Sequence, residues 1–215
     1  MAADPSRSDA PEPAVCGIGG SDDEQLGLFP LATVLVPGAA IGLRVFEPRY
    51  LGLVSDCGRK GRGFGVCLLR AGDALEGDRH GASAAFGTEA LIEDFGTGED
   101  GVLTLRVRGA RRFRARRVHM RDNDLQVADV TWSAPDPTEP VRPEHGLLVT
   151  LLEHLIEQVG GDHAKAPRTN FDNAAWVGWR LTELLPLSAL QRQHLLHIDD
   201  AHGRLDYVLV VLPEL

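Results

Sequence analysis

Phe46-Glu47-Pro48-Arg49-Tyr50 is the stretch that decides how this 215-residue chain reads. Just upstream, Ile41, Leu43 and Val45 alternate with Gly42, Arg44 and Phe46, the period of a strand with one buried face. Glu47 precedes a proline and is biased away from helical geometry, while Pro48 suits a first helical turn. A short helix is therefore expected from Pro48 to about Cys57, stopped by Gly58 and Gly61. The stretch is a strand-to-helix corner that carries an acid, an arginine and two aromatics. A Glu47–Arg49 salt bridge is expected to pin it, with Phe46 and Tyr50 packing on either side.

Outward from the corner, residues 26–133 read as β-rich. Strands are expected at Gly63–Arg70, Ala82–Phe95, Val102–Gly109, Arg111–Arg121 and Asp124–Trp132, separated by turns such as Ala71-Gly72-Asp73 and Gly96-Thr97-Gly98. Several strands with short connections and one helix predict a small closed or nearly closed barrel. Leu103, Leu105, Val107 and Phe113 hold odd positions, whereas Val118 and Met120 are even, so a β-bulge or bend is expected near Arg116-Arg117. Residues 134–143 contain Pro135, Pro137, Pro140 and Pro143 and form a linker.

From 144 to 215 the period becomes helical. Leu147, Leu151, Leu155 and Val159 run beside Leu148, Leu152 and Ile156, a wide apolar stripe ending at Gly160-Gly161. Asp172 or Asn173 caps a second helix, with Val177, Leu181 and Leu184 on its core stripe. Ser188 with Gln191 forms a capping box for a third, and Leu205, Val208, Leu209 and Leu212 supply a fourth. The fold class is α+β, a β-rich part followed by a helical bundle.

Composition sets the outer bounds. The net charge of -9 is concentrated at the start, where residues 1–24 hold six acids against Arg7. Residues 1–25 lack hydrophobic periodicity and the pattern of a signal peptide, and read as a disordered leader. No apolar run approaches the roughly 18 residues that span a bilayer, so a cytoplasmic protein without a membrane partner is expected. Cys16, Cys57 and Cys67 are odd in number and lack CxxC spacing, which argues against structural disulfides and zinc. Cys67 lies in an apolar run and reads as a buried, inert thiol.

Together with the corner, Leu28-Phe29-Pro30-Leu31, Val34-Leu35-Val36-Pro37-Gly38, Gly63-Phe64-Gly65-Val66, Gly87-Thr88, Gly109-Ala110-Arg111-Arg112-Phe113, Leu184-Leu185-Pro186 and Leu195-Leu196 resemble the N-terminal domain of the ATP-dependent protease Lon, in its stand-alone form. The resemblance runs from about Leu26 to Leu212. It implies a PUA-like β pseudo-barrel followed by a helical bundle, and a role in recognising protein or peptide clients. Lon's ATPase and Ser-Lys protease domains are not expected here. The only lysines are Lys60 and Lys165, and neither lies in a Walker A loop or a site suited to a buried base.

Each candidate site has a plainer reading beside the functional one. Phe46, Glu47, Pro48, Arg49 and Tyr50 are read as a structural signature, because no second catalytic group stands nearby. Arg106, Arg108, Arg111, Arg112, Arg114, Arg116 and Arg117 could track phosphates, the nucleic-acid alternative for strands 106–117. Without interleaved aromatics, and with Asp122, Asp124 and Asp129 near, a solvated and partly paired face is preferred. His194, His197 and His202 are split by Asp199-Asp200 and are not expected to share a metal, and no cofactor is expected. Trp132, Trp176 and Trp179 are the candidate partner-binding residues: packing into the core is the preferred plainer reading, and if exposed they would anchor apolar client segments in a cleft between barrel and bundle. The expected function is a non-catalytic recognition module.

Overall fold

The strand that enters the corner and the helix that leaves it are both present. The structure, a computed structural model, describes residues 24–69 and 83–214. The expected leader up to residue 23, Cys16 and the turn at Ala71-Gly72-Asp73 lie outside the described residues. The described chain starts in a strand, β1 (Glu24–Leu31), two of whose residues fall inside the expected leader. Then come β2 (Ala40–Val45), α1 (Pro48–Lys60), β3 (Phe64–Leu69), β4 (Ser83–Thr97), β5 (Leu103–Met120) and β6 (Gln126–Trp132). The helical half comprises α2 (Gly146–Val159), α3 (Ala174–Leu184), α4 (Ala189–His197) and α5 (Ala201–Val211).

The α+β class is the one the sequence predicts. The six strands form one sheet in the order β2-β5-β4-β3-β1-β6, and a further β5–β6 pairing rolls it back on itself. What read as two strands around Ala110 is a single 18-residue β5. Leu103–Arg108 pair with β2 on one side, Leu103–Arg114 with β4 on the other, and Phe113–Met120 with β6. The β5–β6 register shifts between Ala115 and Arg117, at the expected bulge. Val118 beyond it is nonetheless 47% exposed, so the shift does not bury the even residues there.

Helix ends follow local chemistry closely. Gly58 lies inside α1; the stop is Gly61, whose φ of +60° suits a residue without Cβ. Asn173 caps α3 by accepting from the amides of Ala175 and Trp176, and Ser188 and Gln191 form the expected capping box on α4. The wide stripe of α2 is only half used: Leu148, Leu152 and Ile156 are buried, while Leu147 and Val159 are 65% and 60% exposed. Periodicity marks both rows equally, and only the position of α3 decides which row is covered.

Two large cores result. One lies inside the sheet and under α1, and the other inside the bundle. Trp179 of α3 and Leu196 of α4 belong to the first core, so the bundle is seated on the sheet through those side chains.

Candidate functional site

The corner is built from neighbours in sequence. Arg49 Nη2 lies 2.7 Å from Glu47 Oε2, and Arg49 Nη1 donates to the Asp124 carbonyl at 3.1 Å, tying α1 to the β5–β6 turn. Tyr50 stacks on Phe29 with ring centroids 4.2 Å apart. Burial pushes the Tyr50 hydroxyl above its ordinary value, and the adjacent Arg49 works against that. Phe46 does not pack as expected. It is 71% exposed, because the odd residues Leu43 and Val45 face inward and Phe46 takes the opposite face of the strand.

The expected cleft between sheet and bundle is filled. Trp179, only 5% exposed, donates its indole N–H to Asp136 Oδ2 at 2.7 Å. Asp136 Oδ1 takes a second bond from Arg204 Nη2 at 2.7 Å, and the Arg204 guanidinium lies 4.0 Å from the Trp179 ring centroid. Arg112 of β5 completes the cluster, with Nη1 donating to the carbonyls of Leu196 (3.0 Å) and Ile198 (3.3 Å) and an ion pair to Asp199 at 3.0 Å. Burial holds the Arg204 guanidinium below its ordinary value, and Asp136 offsets part of that. The next residue of α3, Arg180, donates to the Pro37 carbonyl at 2.6 Å and packs over Gly38, whose φ is +78°. A side chain at Gly38 would start 2.9 Å from the guanidinium, which explains the glycine of the Val36-Pro37-Gly38 segment.

Of the three tryptophans, then, Trp179 is a buried part of the junction and not an exposed anchor. Its burial is the plainer of the two readings the sequence offered, and it follows because the buried part of α3 spans Ala174 to Thr182, eight buried residues in all, and is wider than the apolar stripe. Trp176 is partly buried against Phe171, at 5.0 Å. Trp132 lies at the end of β6, under the Arg111 guanidinium (3.7 Å) and bonded to Glu24 (2.8 Å). The structure brings none of the three together.

The arginine-rich strand is engaged with the chain itself. Arg106 and Arg108 both bond Glu93 and Asp162, Arg111 bonds Glu89 at 2.9 Å, and Arg112 is buried. Arg114 lies over Phe86. Arg108 bonding is the main cause that lowers the Glu93 carboxyl. The histidines go separate ways: His194 packs on Tyr207, His197 on Phe86, and buried His202 pairs with Glu139 at 3.2 Å. Among the described residues no group of three His, Cys, Asp or Glu is arranged to hold a metal. Cys67 is buried, which pushes its thiol up to about 12.

An open site lies elsewhere. A groove of about 740 Å³ runs between the C-terminal half of α1 (Val54, Cys57, Arg59), with Arg62 just past its end, and the C-terminal half of β4 (Leu91, Ile92, Phe95) beside the start of β5 (Leu103). Phe95 and Leu91 stand 75% and 42% exposed at its edge. Sequence reading passed over this groove, although one signal was present: the strand ending at Phe95 is much longer than the strand beginning at Gly63, so one end of it must outrun its neighbour.

A rolled sheet locked to a helical bundle by buried arginines, with an apolar groove open to one side, has the architecture of a binding module. The chain belongs to the family of the ATP-dependent protease La (LON) substrate-binding domain, whose model matches residues 25–214. It is similar to the crystal structure of a Lon N-terminal domain protein from Xanthomonas campestris, at 53% identity and a TM-score of 0.74, over 87% of this chain and 98% of that one. The N-terminal domain of Lon protease from the Mycobacterium avium complex shares the fold, at 15% identity and a TM-score of 0.60, over 86% of this chain and 96% of that one. No curated protein matches the chain. Among the described residues, no helix is long and apolar enough to cross a membrane.

Proposed function

We propose that this chain is a non-catalytic module that acts in the cytoplasm and takes up apolar segments of protein clients in the groove between α1 and the β4–β5 arm. The family match supports a protein-substrate recognition module. The observation that carries the finer reading is the pair of exposed apolar side chains, Phe95 and Leu91, at the mouth of a groove walled by Val54, Ile92 and Leu103. Leaving a phenylalanine three-quarters in water has no folding benefit, and its burial by a partner contributes on the order of 2 kcal/mol. The sheet–bundle junction is already packed, so client contact is assigned to the groove. Trp132 and Trp176 are not assigned to it, since their rings are occupied by Arg111 and Phe171.

The nucleic-acid alternative gains no support from β5, whose Arg106, Arg108, Arg111 and Arg112 meet carboxylates and carbonyls of the same chain. A peptide array probed with the full chain is expected to favour apolar stretches. Phe95→Ser is expected to lower binding of the best peptides about tenfold or more while leaving unfolding unchanged. Equal binding by wild type and Phe95→Ser rules the groove out.

A further inference from the structure

Strand β4 outruns its neighbour. Over Ser83–Ala90 it pairs with β3 on one side, but from Leu91 to Thr97 it pairs with β5 alone among the described residues. The side of Leu91–Thr97 turned away from β5 is thus a free sheet edge, a row of backbone donors and acceptors without a strand opposite. Of the features that protect such an edge, Leu91–Thr97 has no lysine or proline; its two acids are engaged within the chain, Glu93 by Arg106 and Arg108 and Asp94 by the Phe95 amide, and a register shift falls between Ile92 and Asp94. The Phe95 amide finds its acceptor in the carboxylate of the adjacent Asp94, at 2.9 Å, where a partner strand would otherwise supply one. Leu91, Ile92 and Phe95 of this same stretch line the groove.

The row that would cover the edge is a continuation of β3, whose first residue Phe64 pairs with Ala90. Because β3 runs antiparallel to β4, a segment in that row ends, at its C-terminal side, beside the Gly61–Gly63 turn. The charge there is positive. Arg59 is bonded to Asp56 of its own helix, whereas Lys60 and Arg62 are exposed and have no ion pair among the described residues. Arg62 lines the groove.

We propose that clients bind by strand addition: an extended segment pairs antiparallel to Leu91–Thr97, puts alternate apolar side chains into the groove, and sets an acidic side chain at its C-terminal flank against Arg62. The mode rests on the groove reading above and specifies its ligand, an alternating apolar segment followed by Asp or Glu. Backbone pairing supplies affinity that tolerates many sequences, and alternate side chains supply the selection.

The test uses the full chain and a C-terminally amidated peptide with valine or phenylalanine at alternate positions and a glutamate at its C-terminal flank. Two further versions carry N-methyl groups on one or the other alternate set of amides, leaving side chains unchanged. In a strand, apolar side-chain direction fixes which amides face β4. One N-methyl set is therefore expected to weaken binding about tenfold or more, and the other less than about twofold. Equal affinities of the two sets overturn strand addition, whether both are tight or both are lost. Bound peptide is also expected to slow amide exchange within Leu91–Thr97, and unchanged exchange there overturns it as well. Arg62→Gln is expected to weaken the glutamate peptide several-fold, about three to ten, and to leave a glutamine version unaffected; equal effects on both overturn the acidic flank. A glutamine peptide with a free C-terminal carboxylate should not regain the lost affinity. The groove reading fails separately, if the unmodified peptide binds Phe95→Ser as tightly as wild type.

Discussion

The corner and the junction are made of the same three kinds of group. The corner joins Glu47, Arg49 and Tyr50; the junction joins Asp136, Arg112, Arg204 and Trp179. They differ in burial. Side-chain exposure is 40% for Glu47 and 23% for Arg49, against 15% for Asp136 and 0% for Arg204. At the corner, water screens the charges and replaces either partner, so the pair fixes direction more than it adds stability. At the junction Asp136 is the carboxylate that buried Arg204 bonds, at 2.7 Å, and it also lies 3.7 Å from buried Arg112, which meets Asp199 as well. Similar chemistry thus pins a strand-to-helix corner at one place and holds the two halves together at the other.

The largest expected effect tests that contrast directly. Asp136→Ala leaves Arg204 and Arg112 without their shared carboxylate and should cost about 3–5 kcal/mol in denaturant unfolding. Glu47→Ala should cost no more than about 1 kcal/mol. Equal losses at the two sites would break the comparison. Next in size, Gly38→Ala forces a left-handed backbone on alanine beside the Arg180 guanidinium, and about 1–3 kcal/mol should be lost. If Gly38→Ala is neutral, the Pro37-Gly38 contact with α3 contributes little to seating the bundle. Phe95→Ser, far from both clusters, should change stability by less than about 0.5 kcal/mol while removing client binding.

The smallest effect is a pH slope. Burial lowers the His197 imidazole below its ordinary 6.5, with neighbouring His194 adding to the shift. The unfolded chain then binds the proton more readily than the folded one, so stability is full above about 6.5 and declines as pH falls below it. Gln193 Nε2 lies 3.1 Å from His197 Nε2, a contact that suits an unprotonated acceptor nitrogen. Thermal unfolding of His197→Gln between pH 7.5 and 5 should show a shallower decline than wild type, and identical slopes would remove His197 as its source.

Sequence alone was most legible where partners are neighbours. The Glu47–Arg49 pair, the Asn173 cap, the Ser188–Gln191 box and the register shift beside Arg116 all follow from groups a few residues apart. Two environments were not decided by sequence for a common reason. Phe46, expected to pack, is exposed, and Trp179, left between core packing and an exposed anchor, is buried. Alternation and helical periodicity say which residues share a face, but not what is packed against that face. The groove was hidden for a related reason. It depends on β4 extending past β3, a mismatch of strand lengths that acquires meaning only when the register is known.

What the sequence determined by itself is therefore the order of elements, their caps and turns, and the α+β class, because these rest on local backbone preference and on spacing along the chain. Tertiary structure alone decided three things. It placed Arg112, Asp136, Trp179 and Arg204, separated by as many as 92 positions, around one carboxylate. It chose which half of the α2 stripe is covered. And it left Leu91–Thr97 with an open edge. Each is a matter of what lies opposite a residue, and that is set by the closure of the sheet and the seating of the bundle.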